Sequence, residues 1–391
     1  MSKQSDRSGI NEKTLYAFQG VENNFQNIED YRRQKSIKHR LIHIIFFTLC
    51  AVTAGSNDLV GVHTWIKANE TWLIDLFELK HGVPSLSTLR ITYMLLDPIP
   101  LSHCFAQWVK DLIDRGNLRG ISIDGKAQRG TALPDDSNSF VHIVSAWATD
   151  HELTLGQLKV DGKSNEITAI PKLLDLIDIE DTVITIDAMG TQKNIAEKIV
   201  EKKGDYILAL KGNQSTLNDE VDNFFSQVLK YGDPNIDFFD FNFEEEAKGR
   251  HEIRRVCIAT EWDFLEDYKA QWKNLSTIIC IESKKTEKGK ISKERRYYIS
   301  SLSTTAEDIG LLIRGHWGIE SAHWILDVAF REDNQTARAG HIAENLSLIR
   351  RMSLNYLKKE KTAKIGTANK RLKAAYDKEY LLKVLGVKSF S

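Results

Sequence analysis

The chain of 391 residues has few cysteines and no apolar run long enough to cross a membrane. Its four cysteines, Cys50, Cys104, Cys257 and Cys280, include no C-x-x-C pair. This scatter predicts a reducing compartment and argues against a disulfide framework or a structural zinc site. The longest apolar run, LIHIIFFTLCAVTA, is shorter than the roughly 20 residues that span a bilayer. Because the polar N-terminus also lacks the apolar core of a signal peptide, we expect a cytoplasmic protein with no membrane partner.

The chain also lacks a strong excess of either charge, with a net charge of -1 and a pI near 6.8. Binding to nucleic acid must therefore come from local patches rather than from the whole surface. The string YRRQKSIKHR holds five basic residues and no acid, and the region from Arg350 to Lys373 holds nine basic residues against one acid, Glu360. Each patch is either a solvated face or a DNA-binding surface.

The first part of the chain has a helical pattern. Residues 1–24 are predicted to be a polar leader and residues 25–117 a helical N-terminal domain, in which Ser85 or Ser87 caps a short helix. The spacing of these helices is typical of a plain helical bundle and also of a helix-turn-helix, which would bind DNA ends. The sequence leaves both interpretations open.

From residue 118 the pattern changes to short β-rich runs. Three strand-like runs are followed by an alternation of helices and buried strands up to residue 230. This order predicts an α/β fold: a mixed sheet with flanking helices, as in ribonuclease-H-like domains. Residues 231–302 read as a β-rich insertion, residues 303–356 as closing catalytic helices with a capping box at Thr304 and Glu307, and residues 357–391 as a basic C-terminal tail.

Three carboxylates are candidates for chemistry. Asp124 and Asp187 each interrupt an apolar strand near its C-terminal end, where an ionised carboxylate is costly unless it is paired or bound to metal. Glu320 lies on the closing helix, where His316, Glu320, His323 and Asp327 fall on one stripe. The alternatives are loop-capping aspartates and an amphipathic core helix whose polar side chains are satisfied internally.

Oxygen ligands without thiols suit Mg²⁺ or Mn²⁺ rather than zinc. Two such ions, about 4 Å apart, lower the pKa of an attacking water or 3′-hydroxyl and stabilise both oxygens of a phosphodiester substitution. The set therefore predicts metal-dependent phosphoryl transfer on nucleic acid. A zinc site at His316 and His323 is not expected, because no third nitrogen ligand is evident.

Four strings resemble the H-repeat-associated proteins, which are insertion-sequence transposases of the DDE kind related to the hairpin-forming group with a β insertion. The strings are ISIDGKAQRG, GKSNEITAIPKLLDLIDI, VITIDAMGTQKNIAEKIVEKKGDYILALKGNQ and RGHWGIESAHWILDVAFRED. The resemblance covers residues from about 25 to 360. It implies a ribonuclease-H-like core, two divalent ions, and Asp124, Asp187 and Glu320 as the DDE triad, with Arg314 and the His-Trp pairs beside the site.

The chain departs from the related group in three places. Leu311 stands where a tyrosine is usual, Asp327 stands where a lysine is common, and closer relatives carry one more residue between Glu320 and the second His-Trp pair. One residue turns a helix by about 100°. Either the helix absorbs the loss as a bulge, or this copy of the element is damaged.

Basic side chains near the carboxylates are predicted to contact a phosphate backbone, and two histidines to orient a phosphate or a carboxylate. The expected DNA-binding residues are Lys126, Arg129, Lys211, Arg314, His316 and His323. Lys163, Asn165 and Glu166 read instead as a helix-start cluster. We therefore predict a transposase that acts on element ends and target DNA as a homo-oligomer. The alternatives are an inactive DNA-binding relic and a metal-dependent nuclease without strand transfer.

Overall fold

The computed structural model describes residues 2–136, 139–160, 166–245, 250–262, 266–287 and 290–386. Its helices are α1 (Ser2–Phe25), α2 (Leu41–Thr53), α3 (Leu59–Ala68), α4 (Glu70–Phe77), α5 (Leu86–Leu95), α6 (Pro98–Lys110), α7 (Glu166–Leu176), α8 (Lys193–Glu201), α9 (Ser215–Tyr231), α10 (Glu266–Lys269), α11 (Ala306–Val328), α12 (Ile342–Lys359), α13 (Thr367–Tyr376) and α14 (Lys378–Leu385). Its strands are β1 (Gly120–Gln128), β2 (Val141–Ala148), β3 (Leu153–Lys159), β4 (Val183–Ile186), β5 (Asp205–Leu210), β6 (Asp237–Glu245), β7 (Arg250–Ala259), β8 (Thr277–Glu287) and β9 (Lys290–Ser300).

The described strands form one mixed sheet in the order β3-β2-β1-β4-β5-β9-β8-β7-β6. Strands β1, β4 and β5 run parallel at its centre, and β2 and β3 extend it as an antiparallel meander. Helix α7 precedes β4, and helix α8 joins β4 to β5, as parallel neighbours need a crossover connection. The predicted mixed α/β sheet with flanking helices is therefore confirmed.

The segment predicted as a β-rich insertion, 231–302, forms strands β6 to β9. Strand β9 pairs antiparallel with β5, in the register Leu208 with Ile299 and Leu210 with Tyr297. The insertion therefore continues the central sheet rather than folding apart from it. The sheet therefore continues from β5 through β9, and β9 lies next to the ends of the parallel strands.

Helix α2 is the centre of a helical bundle built from both ends of the chain. All of its side chains from Leu41 to Thr53 are buried, which agrees with the prediction of a buried helix. Helices α1, α12, α13 and α14 contact it. Within the described residues, no helix is both long enough and apolar enough to cross a membrane.

Both ends of the chain contain helices that pack on the bundle. Most of the expected polar leader belongs to α1, whose apolar residues Ala17, Phe18 and Val21 are buried in the bundle. The expected basic tail contains α13 and α14, in which Lys370 and Arg371 are themselves buried. The reason is the same in both segments: an apolar helix face lies between the charged positions and packs on the bundle.

Helix α11 crosses the sheet and joins two cores. Its first half, including Ile309 and Ile313, packs with insertion residues such as Val256, whereas its second half, including Ile319 and Leu326, packs into the main core. The N-cap is Thr305, one residue later than predicted, whose hydroxyl accepts a hydrogen bond from the Asp308 N–H at 3.3 Å. The stretch between the two halves faces the carboxyl ends of the parallel strands.

Candidate active site

Asp124 and Asp187 lie side by side on neighbouring strands. Strands β1 and β4 are parallel, with Ile123 opposite Ile186. The residue after each isoleucine is an aspartate, so the two aspartates lie at the same level. Asp187 follows the end of β4, as predicted. Asp124 does not end its strand, because β1 continues to Gln128 by pairing with β2. The two carboxylates nevertheless reach the same edge of the parallel part of the sheet.

Asp187 also organises the loop that follows it. Its Oδ1 atom accepts hydrogen bonds from the N–H groups of Met189 at 3.1 Å and Gly190 at 3.3 Å. The alternative interpretation of Asp187 as a loop-capping residue is thus confirmed for this oxygen. The side chain is half-buried and also lines a cavity, so the loop contact orients the carboxylate rather than removing it from the site.

Helix α11 turns its polar stripe toward these strands. His316 Nδ1 lies 2.8 Å from the Thr185 hydroxyl on β4. His323 Nδ1 lies 3.4 Å from Asp124 Oδ2, and its Nε2 atom lies 3.4 Å from the Ser145 hydroxyl on β2. The two histidines therefore fix the rotation of α11 about its axis. Glu320 lies between them on the same stripe and is exposed.

A cavity of about 660 Å³ brings the three predicted carboxylates together. Asp124, Asp187 and Glu320 line it, as do His316 and Lys211. Its opposite wall comes from the insertion: Glu294, Arg295, Arg296, Tyr297 and Tyr298 of β9. The cavity is thus acidic at the ends of the parallel strands, whereas its β9 side carries two arginines and two tyrosines together with Glu294.

The electrostatics of the site are those of crowded carboxylates. Burial raises the pKa of Asp187, and the charges of Glu166 and Asp124 raise it further, against the opposing effects of the Gly190 N–H and His316. Burial lowers the pKa of His316, although the three carboxylates favour its charged form. Burial of His316 therefore opposes the charged form that the carboxylates would favour.

Within the described ranges, no three His, Cys, Asp or Glu side chains are arranged so that they could hold a metal ion directly. The carboxylates share the cavity, but they do not converge on one point in it. The cavity combines carboxylates with basic side chains at its border. The carboxylates suit small metal cations, and the basic side chains suit a polyanionic substrate.

Two of the six predicted DNA-binding residues, Lys211 and His316, line this cavity. Arg129 is exposed on the turn after β1, and Lys211 is exposed at the cavity wall after β5. Arg314 is exposed on α11 and lines an adjoining cavity of about 240 Å³, where the Arg254 guanidinium stacks 3.6 Å from the Trp317 ring centre. Lys163 and Asn165 lie outside the described residues, and Glu166 is the first described residue of α7.

Lys126 does not face the cavity. Its side chain is only 7% exposed, and its Nζ atom lies 2.6 Å from Asp327 Oδ1 and 3.0 Å from Asp333 Oδ1. The expected phosphate contact is therefore not favoured. The alternation of β1 puts Lys126 on the same face as Asp124 but farther along the strand, below the end of α11. There it joins β1 to α11 and to the loop that follows.

A buried charge cluster that no local sequence pattern predicts lies beneath this contact. Glu332 is fully buried, with Oε1 at 3.2 Å from Arg351 and 3.9 Å from Arg350, and it accepts a hydrogen bond from the Ser347 hydroxyl at 2.8 Å. Arg350 and Arg351 had been counted as part of a basic patch. Their burial shows that part of that patch holds α12 against the site rather than facing solvent.

Comparison with known proteins agrees with this geometry. The family model described as "Transposase DDE domain" matches residues 102–356, and the model described as "DDE_Tnp_1-associated" matches residues 23–109. Together they cover residues 23–356, which include α2, the sheet and α11. The chain therefore belongs to the family of DDE transposases.

Within that family the chain is similar to H repeat-associated proteins, as its motifs predict. It is 36% identical to YhhI of Escherichia coli K12, a candidate H repeat-associated transposase, over 92% of this chain and 95% of that protein. It is also 36% identical to YncI of Escherichia coli O157:H7, a candidate transposase, over 92% of each chain. Among solved structures, the piggyBac transposase synaptic complex with hairpin DNA is similar at a TM-score of 0.46 and 11% identity, covering 97% of this chain and 83% of that one.

Proposed function

We propose that this protein cuts DNA at the ends of a mobile element and joins the freed end to target DNA, with Asp124, Asp187 and Glu320 as its acidic triad. The observation that carries the proposal is the shared cavity, in which two strands and one helix present these three carboxylates to one space. Membership of the DDE transposase family supports the same assignment. We assign the core to the ribonuclease-H-like class, since a central β1 with an antiparallel meander on one side and parallel strands on the other fits it.

The donor chemistry of the site suits divalent cations such as Mg²⁺ or Mn²⁺, although the three carboxylates share the cavity without converging on one point. Its donors are carboxylate oxygens, and the raised pKa of Asp187 marks a charge that a cation would stabilise. Asp124, Asp187 and Glu320 are the residues that would hold two such ions. When bound, the ions would lower the pKa of the attacking water or hydroxyl and neutralise charge on the phosphodiester.

The basic side chains and histidines near the carboxylates have roles of their own in this proposal. Lys211 and Arg129 hold the phosphate backbone of the strand to be cut, and Arg314 holds it beside the adjoining cavity. His316 and His323 keep α11 rotated so that Glu320 points into the cavity. Lys126 keeps the end of the same helix on β1.

Two reactions follow in order. Hydrolysis adds water across one phosphodiester and leaves a 3′-hydroxyl and a 5′-phosphate at the element end. The 3′-hydroxyl then attacks a phosphodiester of the target, loses its proton and displaces the 3′-oxygen of the target strand. We place this activity in the cytoplasm. We also propose that the protein acts as a homo-oligomer assembled on DNA, because two element ends must be joined to one target.

The test uses purified full-length protein, Mg²⁺ and a plasmid carrying the element ends that flank the gene. Wild type should nick at the ends and form joined products, and Asp124→Asn, Asp187→Asn and Glu320→Gln should do neither. Asp175→Asn is a matched control, because Asp175 is exposed on α7 and paired with Lys198. Absence of metal-dependent nicking by wild type would indicate a DNA-binding relic, and nicking without joining would indicate a nuclease.

A further inference from the structure

A fourth carboxylate lies behind the triad, on the face of the sheet opposite α11. Glu166 is the first residue of α7, and it is buried with 8% of its surface exposed. Its Oε1 atom lies 2.8 Å from His142 Nε2, on β2. A carboxylate buried this far ordinarily needs a partner, and the histidine supplies one. The pair lies outside the cavity lining, so its role differs from that of the triad.

The position of Glu166 depends on a glycine beside the first triad residue. Gly125 follows Asp124, and because side chains alternate along β1, a side chain at 125 would point to the face opposite Asp124. A Cβ atom there would overlap the Glu166 carboxylate and the His142 ring. The carboxylate therefore rests directly on the backbone next to Asp124. Any other residue at 125 would displace it.

The charge of Glu166 acts on the triad from this position. The Glu166 carboxylate lies against the backbone at Gly125, one residue from Asp124, with no side chain at 125 between them. The acidic centre thus receives negative charge from both faces of the sheet: from Glu320 on α11 and from Glu166 on α7. A fixed charge of this kind strengthens the binding of cations without touching them.

We propose that Glu166, held by His142 against Gly125, is a positioning residue of the acidic centre and raises its affinity for divalent cations through its charge. The inference rests on the proposed function, because it assumes that Asp124, Asp187 and Glu320 bind such cations. Through Glu166, helix α7 contributes to the acidic centre. The sequence pattern had indicated only that Glu166 belongs to a helix start.

Two variants separate a role of charge from a role of shape. Glu166→Gln keeps the length and a hydrogen-bonding group but removes the charge, whereas Glu166→Asp keeps the charge and shortens the reach. If the charge matters, Glu166→Gln weakens cation binding several-fold and Glu166→Asp retains most of it. If Glu166 only fills space and bonds to His142, the order is reversed. Asp175→Asn, a neutralised carboxylate elsewhere on α7, should match wild type.

The experiment measures Mn²⁺ binding to full-length protein without DNA, by calorimetry or by paramagnetic resonance, with a thermal melt of each variant as a check on folding. The expected order of affinity is wild type, then Glu166→Asp, then Glu166→Gln, with Asp124→Asn weakest. Equal affinity of Glu166→Gln and wild type, with Asp124→Asn still weak, would overturn this inference alone. Equal and negligible binding by wild type and Asp124→Asn would overturn the proposed function and the inference with it.

Discussion

Replacement of Glu332 by glutamine should destabilise the protein strongly. The change keeps the shape of the side chain but leaves Arg350 and Arg351, each 1% exposed, without their shared counter-charge. Breaking a buried ion pair by removal of one partner costs about 3–5 kcal/mol. Because total stabilities are about 5–15 kcal/mol, the variant should lose a large part of its margin.

The assay is denaturant unfolding at neutral pH, followed by circular dichroism and by tryptophan fluorescence. Glu332→Gln should unfold at a clearly lower denaturant concentration than wild type, and the exposed substitution Glu307→Gln should stay within about 0.5 kcal/mol. A loss below about 1 kcal/mol for Glu332→Gln would refute the interpretation of this cluster as a paired buried charge.

The same variant tests the direction of the pH dependence. Burial alone would raise the pKa of Glu332, but Arg351 and Arg350 outweigh it, and the pKa in the folded protein is lowered. A lowered carboxyl pKa adds stability that is complete above the unfolded value of about 4.3 and is lost as pH falls through the folded value. The advantage of wild type over Glu332→Gln should therefore be constant from neutral pH to about pH 5 and shrink in more acidic solution. An advantage that grows on acidification would contradict this.

Three further predictions concern the site and its supports. Gly125→Ala should weaken Mn²⁺ binding by displacing Glu166, and should lower the melting temperature as well, because the buried carboxylate is moved from His142; unchanged binding would count against the contact. Arg371→Ala should destabilise the protein by about 3 kcal/mol or more in denaturant unfolding, because a buried guanidinium that donates to carbonyls of α2 and the end of α11 is lost, whereas the exposed Lys361→Ala should have little effect. Lys211→Ala should weaken DNA binding and reduce the slope of log affinity against log salt by about 0.9, the value for one phosphate contact; an unchanged slope would remove Lys211 from the DNA surface.

Much of the fold followed from local pattern. The apolar runs before Asp124 and Asp187 predicted two buried strands, and parallel strands whose carboxyl ends share an edge bring such residues together. The stripe on α11 was predicted from helical periodicity. The same periodicity predicted that His316 and His323 share one face, and both contact the sheet. These features depend on residues close together in the chain, where periodicity carries information.

The errors have a common physical cause: each depends on a partner far away in the chain. Lys126 is paired with Asp333, 207 residues later, and no local pattern announces that contact. The end of β1 was misjudged because its continuation is stabilised by β2 rather than by its own residues. The burial of Arg371 in the basic tail was not foreseen, because its guanidinium donates to the Val52 carbonyl, 319 residues earlier. A charge count treats such residues as exposed, whereas tertiary packing decides their environment.

The central claim is that Glu320 on α11 completes a catalytic centre with the two strand aspartates. The most direct measurement is single-turnover nicking of DNA bearing the element ends, in Mg²⁺, by wild type, Glu320→Gln and Ser321→Ala. Ser321 is the exposed neighbour of Glu320 on the same helix, and its hydroxyl bonds only to the Trp317 carbonyl among the described contacts. We predict nicking by wild type and Ser321→Ala and none by Glu320→Gln, with DNA binding retained in all three. Nicking by Glu320→Gln at the rate of wild type would contradict the account.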